Sequence, residues 1–222
     1  MISAHDIVVM QDRLTRAWHV PPEEGEDVEA PPHRSDRSDE DRMRDDWLEL
    51  MTRQHRANFD LWHIEDEARA PFASDADLAA VKRRIDATNQ LRNDLVEVLD
   101  RMLLTWLRMN ELPNPEAALH SETPGLIIDR LSILSLKIYH TREETRRRHA
   151  PLGHDERNRE RLAILERQRR DLTGCLGELW RDILAGQRRF ELYRQLKMYN
   201  DPALNPAIYE KKETGSDENT PS

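Results

Sequence analysis

The sequence of 222 residues contains few cysteine, glycine and aromatic residues, on which many catalytic sites depend. Its one cysteine, Cys175, excludes a disulfide within the chain, and its place on an apolar helical stripe predicts a buried, unreactive thiol. Only 7 residues are glycine and 5% are aromatic. A Gly-rich phosphate loop, a nucleophile elbow and a Cys-x-x-Cys pair are all missing, so the sequence shows none of these catalytic motifs.

Long apolar runs are missing as well. No stretch approaches the roughly 18 apolar residues that a membrane helix needs, so we expect no membrane span. The first residues lack a basic segment followed by an apolar core, so we expect no signal peptide and a cytoplasmic location.

Charge is abundant but is not basic overall. The net charge of −9 comes largely from residues 21–46, with eleven acids and four bases, and residues 200–222, with five acids and two bases. The rest of the chain is close to neutral and offers no strong basic field. We therefore expect no nucleic-acid partner.

Apolar residues recur at helical spacing, and neither strand alternation nor an internal repeat is visible. This pattern predicts an all-α fold, an antiparallel bundle of five to six helices with a disordered acidic loop and C-terminal tail. The predicted organisation is an N-terminal helix at 1–19, an acidic Pro-rich linker at 20–40, a helical bundle domain at 41–210 and a disordered tail at 211–222.

The bundle helices are predicted at about 41–70, 74–112, 124–149 and 155–185, with a continuation from 190 to 199. Ser74 with Asp77, and Thr123 with Pro124, are typical of helix N-termini. The helix that begins at Pro124 is apolar on two sides, which predicts that it lies at the centre of the bundle.

Several polar residues interrupt the apolar stripes. Because a buried charge is costly unless it is paired, we expect Arg92 to contact Asp66 or Asp129. Two interpretations remain open: an ion-pair network that fixes helix register, or a ligand pocket in the bundle core. The candidate ligand-binding residues are His63, Asp66, Asn89, Arg92, Asp129, Lys137 and His140.

No metal or other cofactor is predicted. His63 and Asp66 are spaced i, i+3 and could contact one ion, but a carboxylate-bridged di-metal site usually repeats such a motif on another helix, and no second copy is found. Asp94, Glu97 and Asp100 lie opposite the apolar seam of their helix, which predicts a solvated face rather than a magnesium site.

Three stretches resemble one bacterial family of helical proteins, the domain of unknown function 4254 family. They are Asn-Phe-Asp-Leu-Trp-His-Ile-Glu-Asp-Glu-Ala-Arg at 58–69, the stretch 121–140 that begins Ser-Glu-Thr-Pro-Gly, and residues 193–206, with Asn89 and Arg92 fitting the same pattern. The resemblance covers about 45–210. It implies a bacterial all-helical protein of no established activity, with relatives beside glycosyltransferases of cell-envelope polysaccharide synthesis.

Three functional classes follow. The first is a non-enzymatic accessory or interaction protein with a protein partner. The second is a small-molecule-binding protein or enzyme, in which Arg92 and Lys137 hold an anionic, phosphorylated sugar-like group and His63 with Asp66 forms an acid/base pair. The third is a structural helical homo-oligomer.

Overall fold

A computed structural model describes residues 2–20, 38–193 and 202–204 of the chain. The described residues form five α-helices: α1 (Ala4–His19), α2 (Asp39–Glu67), α3 (Asp75–Met109), α4 (Pro124–Glu144) and α5 (His154–Leu184). Two short strands, β1 (Ala118–Leu119) and β2 (Arg188–Arg189), pair in parallel. The predicted all-α fold is confirmed.

The chain divides into two compact units, residues 1–192 and 193–222. In the second unit the described residues are Tyr193 and the 3₁₀ turn Pro202–Leu204. Most of the predicted acidic linker and all of the predicted tail at 211–222 lie outside the described residues.

Side-chain caps set the starts of most helices. Ser3 and Ser74 each form a capping box with an aspartate three residues later, and Ser38 caps α2. Thr123 accepts a hydrogen bond from the Leu126 N–H, and Pro124 occupies the first turn of α4. Because a capped terminus satisfies N–H groups that have no partner within the helix, these short motifs fix helix starts locally.

Contacts between helices define their directions. Along α1, Gln11 contacts Ile128 and His19 contacts His140, and along α2, Gln54 contacts Asp129 and Trp62 contacts His140. Later residues of α1 and α2 thus contact later residues of α4, so both helices run parallel to α4. For α3, Arg92 contacts Asp129 while the later residue Asp100 contacts the earlier Gly125, so α3 runs antiparallel to α4. For α5, Glu166 contacts Arg142 while the earlier residue His154 contacts the later Glu144, so α5 is antiparallel to α4 as well. The C-terminal ends of α1, α2 and α4 therefore point toward the same end of the bundle.

Helix α4 is the centre of the bundle, as its sequence predicts. It packs against each of the other four helices. Its fully buried apolar side chains are Ile127, Ile128, Leu131, Leu136 and Ile138. Burial on two sides explains why its apolar residues do not fall on a single stripe.

The structure corrects the predicted helix ends. Helix α4 ends at Glu144 rather than 149, and a turn that includes His149 at a φ of 61° follows it. The predicted helical continuation is also wrong where it is described, because residues 190–193 are not helical. The residues just before them form β2, since the backbone pairs with β1 instead of with a helical turn.

The exposures predicted for Asp100 and Cys175 are wrong. Asp100 is 2% exposed rather than solvated, because it faces the first turn of α4, while Asp94 is exposed as predicted. Cys175 is exposed rather than buried, because it lies beside the inward positions of α5 and borders a groove between α4 and α5. Among the described residues, none of the helices combines the length and apolarity required to cross a bilayer.

Candidate functional site

A buried network of polar side chains lies between α2, α3 and α4. At its centre, Asp129 Oδ1 accepts hydrogen bonds from Gln54 Nε2 at 2.6 Å and from Asn58 Nδ2 at 2.9 Å. Arg92 Nε lies 3.6 Å from the same oxygen. The predicted contact between Arg92 and one of two aspartates is thus confirmed, with Asp129 as the partner. Burial raises the pKa of Asp129, and the positive charge of Arg92 is the largest of the effects that act to lower this pKa.

The network continues through α4 to α1. Asn58 Nδ2 also donates to Ser132 Oγ at 2.9 Å, and Ser132 Oγ lies 2.7 Å from His55 Nδ1. The other ring nitrogen of His55 lies 2.9 Å from Thr15 Oγ1. Burial lowers the pKa of His55 to about 4, so the ring is neutral at pH 7. This arrangement joins four helices through one ion pair, two hydrogen bonds to the Asp129 carboxylate and a series of hydrogen bonds between uncharged groups.

One edge of this network opens into a groove of about 420 Å³, which we call the α2–α4 groove. Its lining residues come from α2, the turn that follows it, α3 and α4: Asn58, Leu61, Trp62, Glu65, Asp66, Arg69, Arg92, Ile133, Leu136 and Lys137. The volume falls within the range of about 300–1,000 Å³ that is usual for small-molecule sites. A partly apolar wall with a few charged groups is also typical of such sites.

The cations of this groove differ in how completely they are paired. Arg69 contacts both Glu65 and Asp66. Arg92 Nε is buried without a hydrogen-bond partner among the described residues, since its distance from Asp129 is too long for a hydrogen bond. Lys137 is exposed, and the structure gives it no ion pair within 4.0 Å among the described residues. The groove therefore holds two cationic groups with capacity for a further acceptor.

A larger groove of about 660 Å³ lies between α4 and α5, and the side chains of Ile133 and Lys137 line both grooves. Its Arg130 is engaged in a double hydrogen bond with Glu122. Asp171 adds a further negative charge to its lining. This groove therefore offers less positive charge for a ligand than the α2–α4 groove does.

The second feature is a cluster of three histidines from three helices, His19 of α1, His63 of α2 and His140 of α4, which we call the histidine triad. One ring nitrogen of each lies within 4.8 Å of one from each of the others, and all three residues are half-buried. His19 Nδ1 lies 2.7 Å from the Thr15 carbonyl oxygen, and His63 Nδ1 lies 2.8 Å from the Phe59 carbonyl oxygen. The triad is the group of described residues whose donor atoms could hold a metal ion.

Aromatic rings surround the triad. Trp62 stacks on His140 with a ring-centroid distance of 4.7 Å and an interplanar angle of 4°, and Tyr139 stacks on His19 at 4.3 Å. Burial, followed by the proximity of His19 and His63, lowers the pKa of His140. Trp62 also lines the α2–α4 groove, so the triad and the groove share one side chain.

The structure brings only some of the predicted site residues together. Asp66, Arg92 and Lys137 line the α2–α4 groove, whereas His63 and His140 belong to the histidine triad. Asn89 is half-buried and is not among the residues that line the groove.

The predicted position of Asp66 inside a buried stripe is wrong. Its side chain is 64% exposed and contacts Arg69, because it lies in the last turn of α2. The sequence did not indicate that His19 joins His63, nor that Gln54 and Ser132 belong to the polar network. One local signal was available for His19, since it follows Trp18 at the end of an amphipathic helix.

The fold and these sites define an all-α bundle protein with a polar core between its central helices and a histidine cluster at one end. Comparison with protein families identifies the family to which this bundle protein belongs. It belongs to the family described as protein of unknown function (DUF4254), whose sequence model matches residues 48–192. The match includes the first two stretches of the resemblance and ends before the stretch at 193–206. No curated protein and no solved structure matches the chain.

Proposed function

We propose that this protein binds a small anionic ligand, of the size and charge of a phosphorylated sugar, in the α2–α4 groove. The observation that carries the proposal is the pair of cations on this groove, Arg92 and Lys137, which retain capacity for an acceptor beyond their protein contacts. A phosphate group presents several oxygens that can accept hydrogen bonds from a guanidinium and an ammonium together.

The apolar part of the groove supports a ligand larger than inorganic phosphate. Leu61, Trp62, Ile133 and Leu136 contribute apolar surface beside the cations. A ligand with a carbon skeleton could bury surface against these side chains while its anionic group contacts Lys137. Affinity would then depend on both parts of the ligand.

The test is a thermal-shift and calorimetric titration of the untagged protein with glucose 1-phosphate, related sugar phosphates and nucleotide sugars. A ligand at a hundred times its Kd adds about 2.7 kcal/mol to the free energy of unfolding, which raises Tm by several degrees. We expect Lys137→Ala to lower the affinity by about tenfold, the loss of one charge-assisted contact. Glucose alone should give a much smaller shift.

Lys82→Ala is the matched control. Lys82 is an exposed lysine of α3 that pairs with Asp86 and does not line the groove. The control should retain the wild-type affinity. An absence of any shift across the panel, or equal losses in the two variants, would contradict the proposed function.

A second candidate function is that of an accessory protein which contacts a polysaccharide-synthesis glycosyltransferase, as the resemblance implies. The supporting observation is Phe72 in the turn between α2 and α3, whose side chain is 98% exposed. Because this phenyl ring is left in water, a partner that covered it would gain the free energy of burying an aromatic side chain. Phe72→Ser should weaken binding to a polysaccharide-synthesis glycosyltransferase, while Lys137→Ala should leave that binding unchanged.

A further inference from the structure

We propose that His19, His63 and His140 bind one divalent transition-metal ion, with Zn²⁺ the best match, through their Nε2 atoms. The proposal does not depend on the function of the α2–α4 groove, because it rests on different side chains and different contacts.

The hydrogen bonds of two rings identify the ligand atoms. A backbone carbonyl oxygen can only accept, so Nδ1 of His19 must carry the proton that it shares with Thr15, and Nδ1 of His63 must donate to Phe59. Each ring is then neutral when Nε2 keeps its lone pair. A histidine that donates from one nitrogen to a carbonyl and presents the other to the ion is the usual arrangement in metal sites.

The third ring fits the same pattern. His140 Nε2 is buried without a hydrogen-bond partner among the described residues, and the same holds for His19 Nε2. His140 Nδ1 lies 3.9 Å from Glu143 Oε2, so a small movement would let this carboxylate accept its proton. Packing of aromatic rings would explain why the triad is compact. It would not explain the two buried Nε2 atoms that have no hydrogen-bond partner, whereas a bound ion would satisfy both.

The spacing requires a modest contraction. Zinc–nitrogen bonds of about 2.0–2.1 Å in a tetrahedral site place the nitrogens roughly 3.3 Å apart. The triad nitrogens lie within 4.8 Å of one another. Rotations of half-buried side chains can close this difference without moving the helices.

Helix direction provides an independent electrostatic argument. Helices α1, α2 and α4 run parallel, α1 ends at His19, and the other two residues lie near the ends of α2 and α4. The C-terminal end of a helix carries a partial negative charge that favours a cation. Three such ends converge near the triad, so the backbone favours an ion with charge +2 there.

Three imidazole ligands define the kind of site. Imidazole suits zinc, copper, nickel and iron, and three protein ligands leave a fourth position for water or a ligand atom. Zinc sites with three protein ligands and one open position are typical of catalytic rather than structural zinc.

The test is direct titration of chelator-treated, untagged full-length protein with ZnCl₂ by calorimetry, with metal content measured after dialysis. We expect one Zn²⁺ per chain. Each of His19→Gln, His63→Gln and His140→Gln should weaken binding by about 100-fold or more, since loss of an outer-shell partner alone costs 10–100-fold. His5→Gln, at an exposed histidine of α1, is the matched control and should bind as the wild type does.

Co²⁺ added to the wild-type protein gives a readout that does not depend on the folding of any variant. A nitrogen-ligated site of low coordination number should give visible ligand-field bands without the thiolate charge-transfer band that Cys175 would produce. Circular dichroism should show that the variants keep their helical content. Absence of Zn²⁺ binding, binding retained in folded triad variants, or equal loss in His5→Gln would overturn the proposal.

Discussion

Asp100 of α3 accepts a hydrogen bond from the backbone N–H of Gly125, in the first turn of α4, at 2.7 Å. Its other carboxylate oxygen accepts from the Thr123 hydroxyl, and Thr123 in turn caps the Leu126 N–H. The central helix of the bundle thus begins on a carboxylate from another helix. Burial outweighs these hydrogen bonds and raises the pKa of Asp100 to about 6.

The raised pKa predicts a specific dependence of stability on pH. Between about pH 4 and pH 6 the folded protein holds a proton on Asp100 that the unfolded chain, with a pKa of 3.8, releases. The free energy of unfolding therefore gains up to about 3 kcal/mol from this group as the pH falls through that range. Asp100→Asn removes the titration. Urea unfolding should show a wild-type advantage over this variant that is larger at pH 4 than at pH 7, and a constant difference would contradict the prediction.

Gly125→Ala should destabilise the protein. A Cβ at this position would lie 2.7 Å from Asp100 Oδ1, and the buried carboxylate has little room to move away. We expect a loss of about 1–3 kcal/mol in the free energy of unfolding. Gly174→Ala in α5 is the control, because nothing lies within 4 Å of its added Cβ. It should be neutral or stabilising by up to about 1 kcal/mol, so equal effects would argue against a steric cause.

Local chemistry explains which parts of this structure could be predicted. The capping box at Ser74 and the Thr123 cap followed by Pro124 determine helix starts within a few residues of sequence, and both are found. A contact of Arg92 with either Asp66 or Asp129 was predictable because these residues interrupt apolar stripes, and the structure identifies Asp129 as the partner. These predictions need only the position of each residue on its own helix.

Features that depend on the positions of helices relative to one another along the bundle axis could not be predicted in this way. The histidine triad requires the ends of α1, α2 and α4 to be level, and no single helix shows that alignment. Asp100 lies opposite an apolar seam, but its carboxylate contacts the Gly125 N–H and the Thr123 hydroxyl at the start of α4, and hydrophobic periodicity does not detect such polar partners. For Cys175 the prediction failed in the opposite direction: it was predicted to be buried and is exposed, since the other helices cover only a narrow face of α5.

Replacements of Arg92 and Asp129 should have non-additive effects on the free energy of unfolding. Arg92→Leu would leave Asp129 with Gln54 and Asn58 as uncharged donors, and an uncompensated buried carboxylate costs about 3–5 kcal/mol. Asp129→Asn in the same chain removes that charge and should restore part of the loss. A double-mutant cycle by urea unfolding should give a coupling energy of about 1–3 kcal/mol. Additive effects would show that the ion pair contributes little.

His55 should oppose Asp100 in the same pH range. Its folded pKa of about 4 lies below the ordinary value of 6.5, so below pH 6.5 the unfolded chain binds a proton that the folded protein excludes. The stability that His55 contributes is complete above that pH, and up to about 3 kcal/mol is lost as the pH falls toward 4. The wild-type advantage over His55→Gln, measured by urea unfolding, should therefore be larger at pH 7 than at pH 4. The contributions of Asp100 and His55 have opposite signs, so they cancel in the free energy of unfolding of the wild type measured against pH. A wild-type stability that hardly changes with pH is therefore compatible with two strongly shifted pKa values. Only the two variants separate them: Asp100→Asn should leave a steep loss of stability toward acid, and His55→Gln a gain.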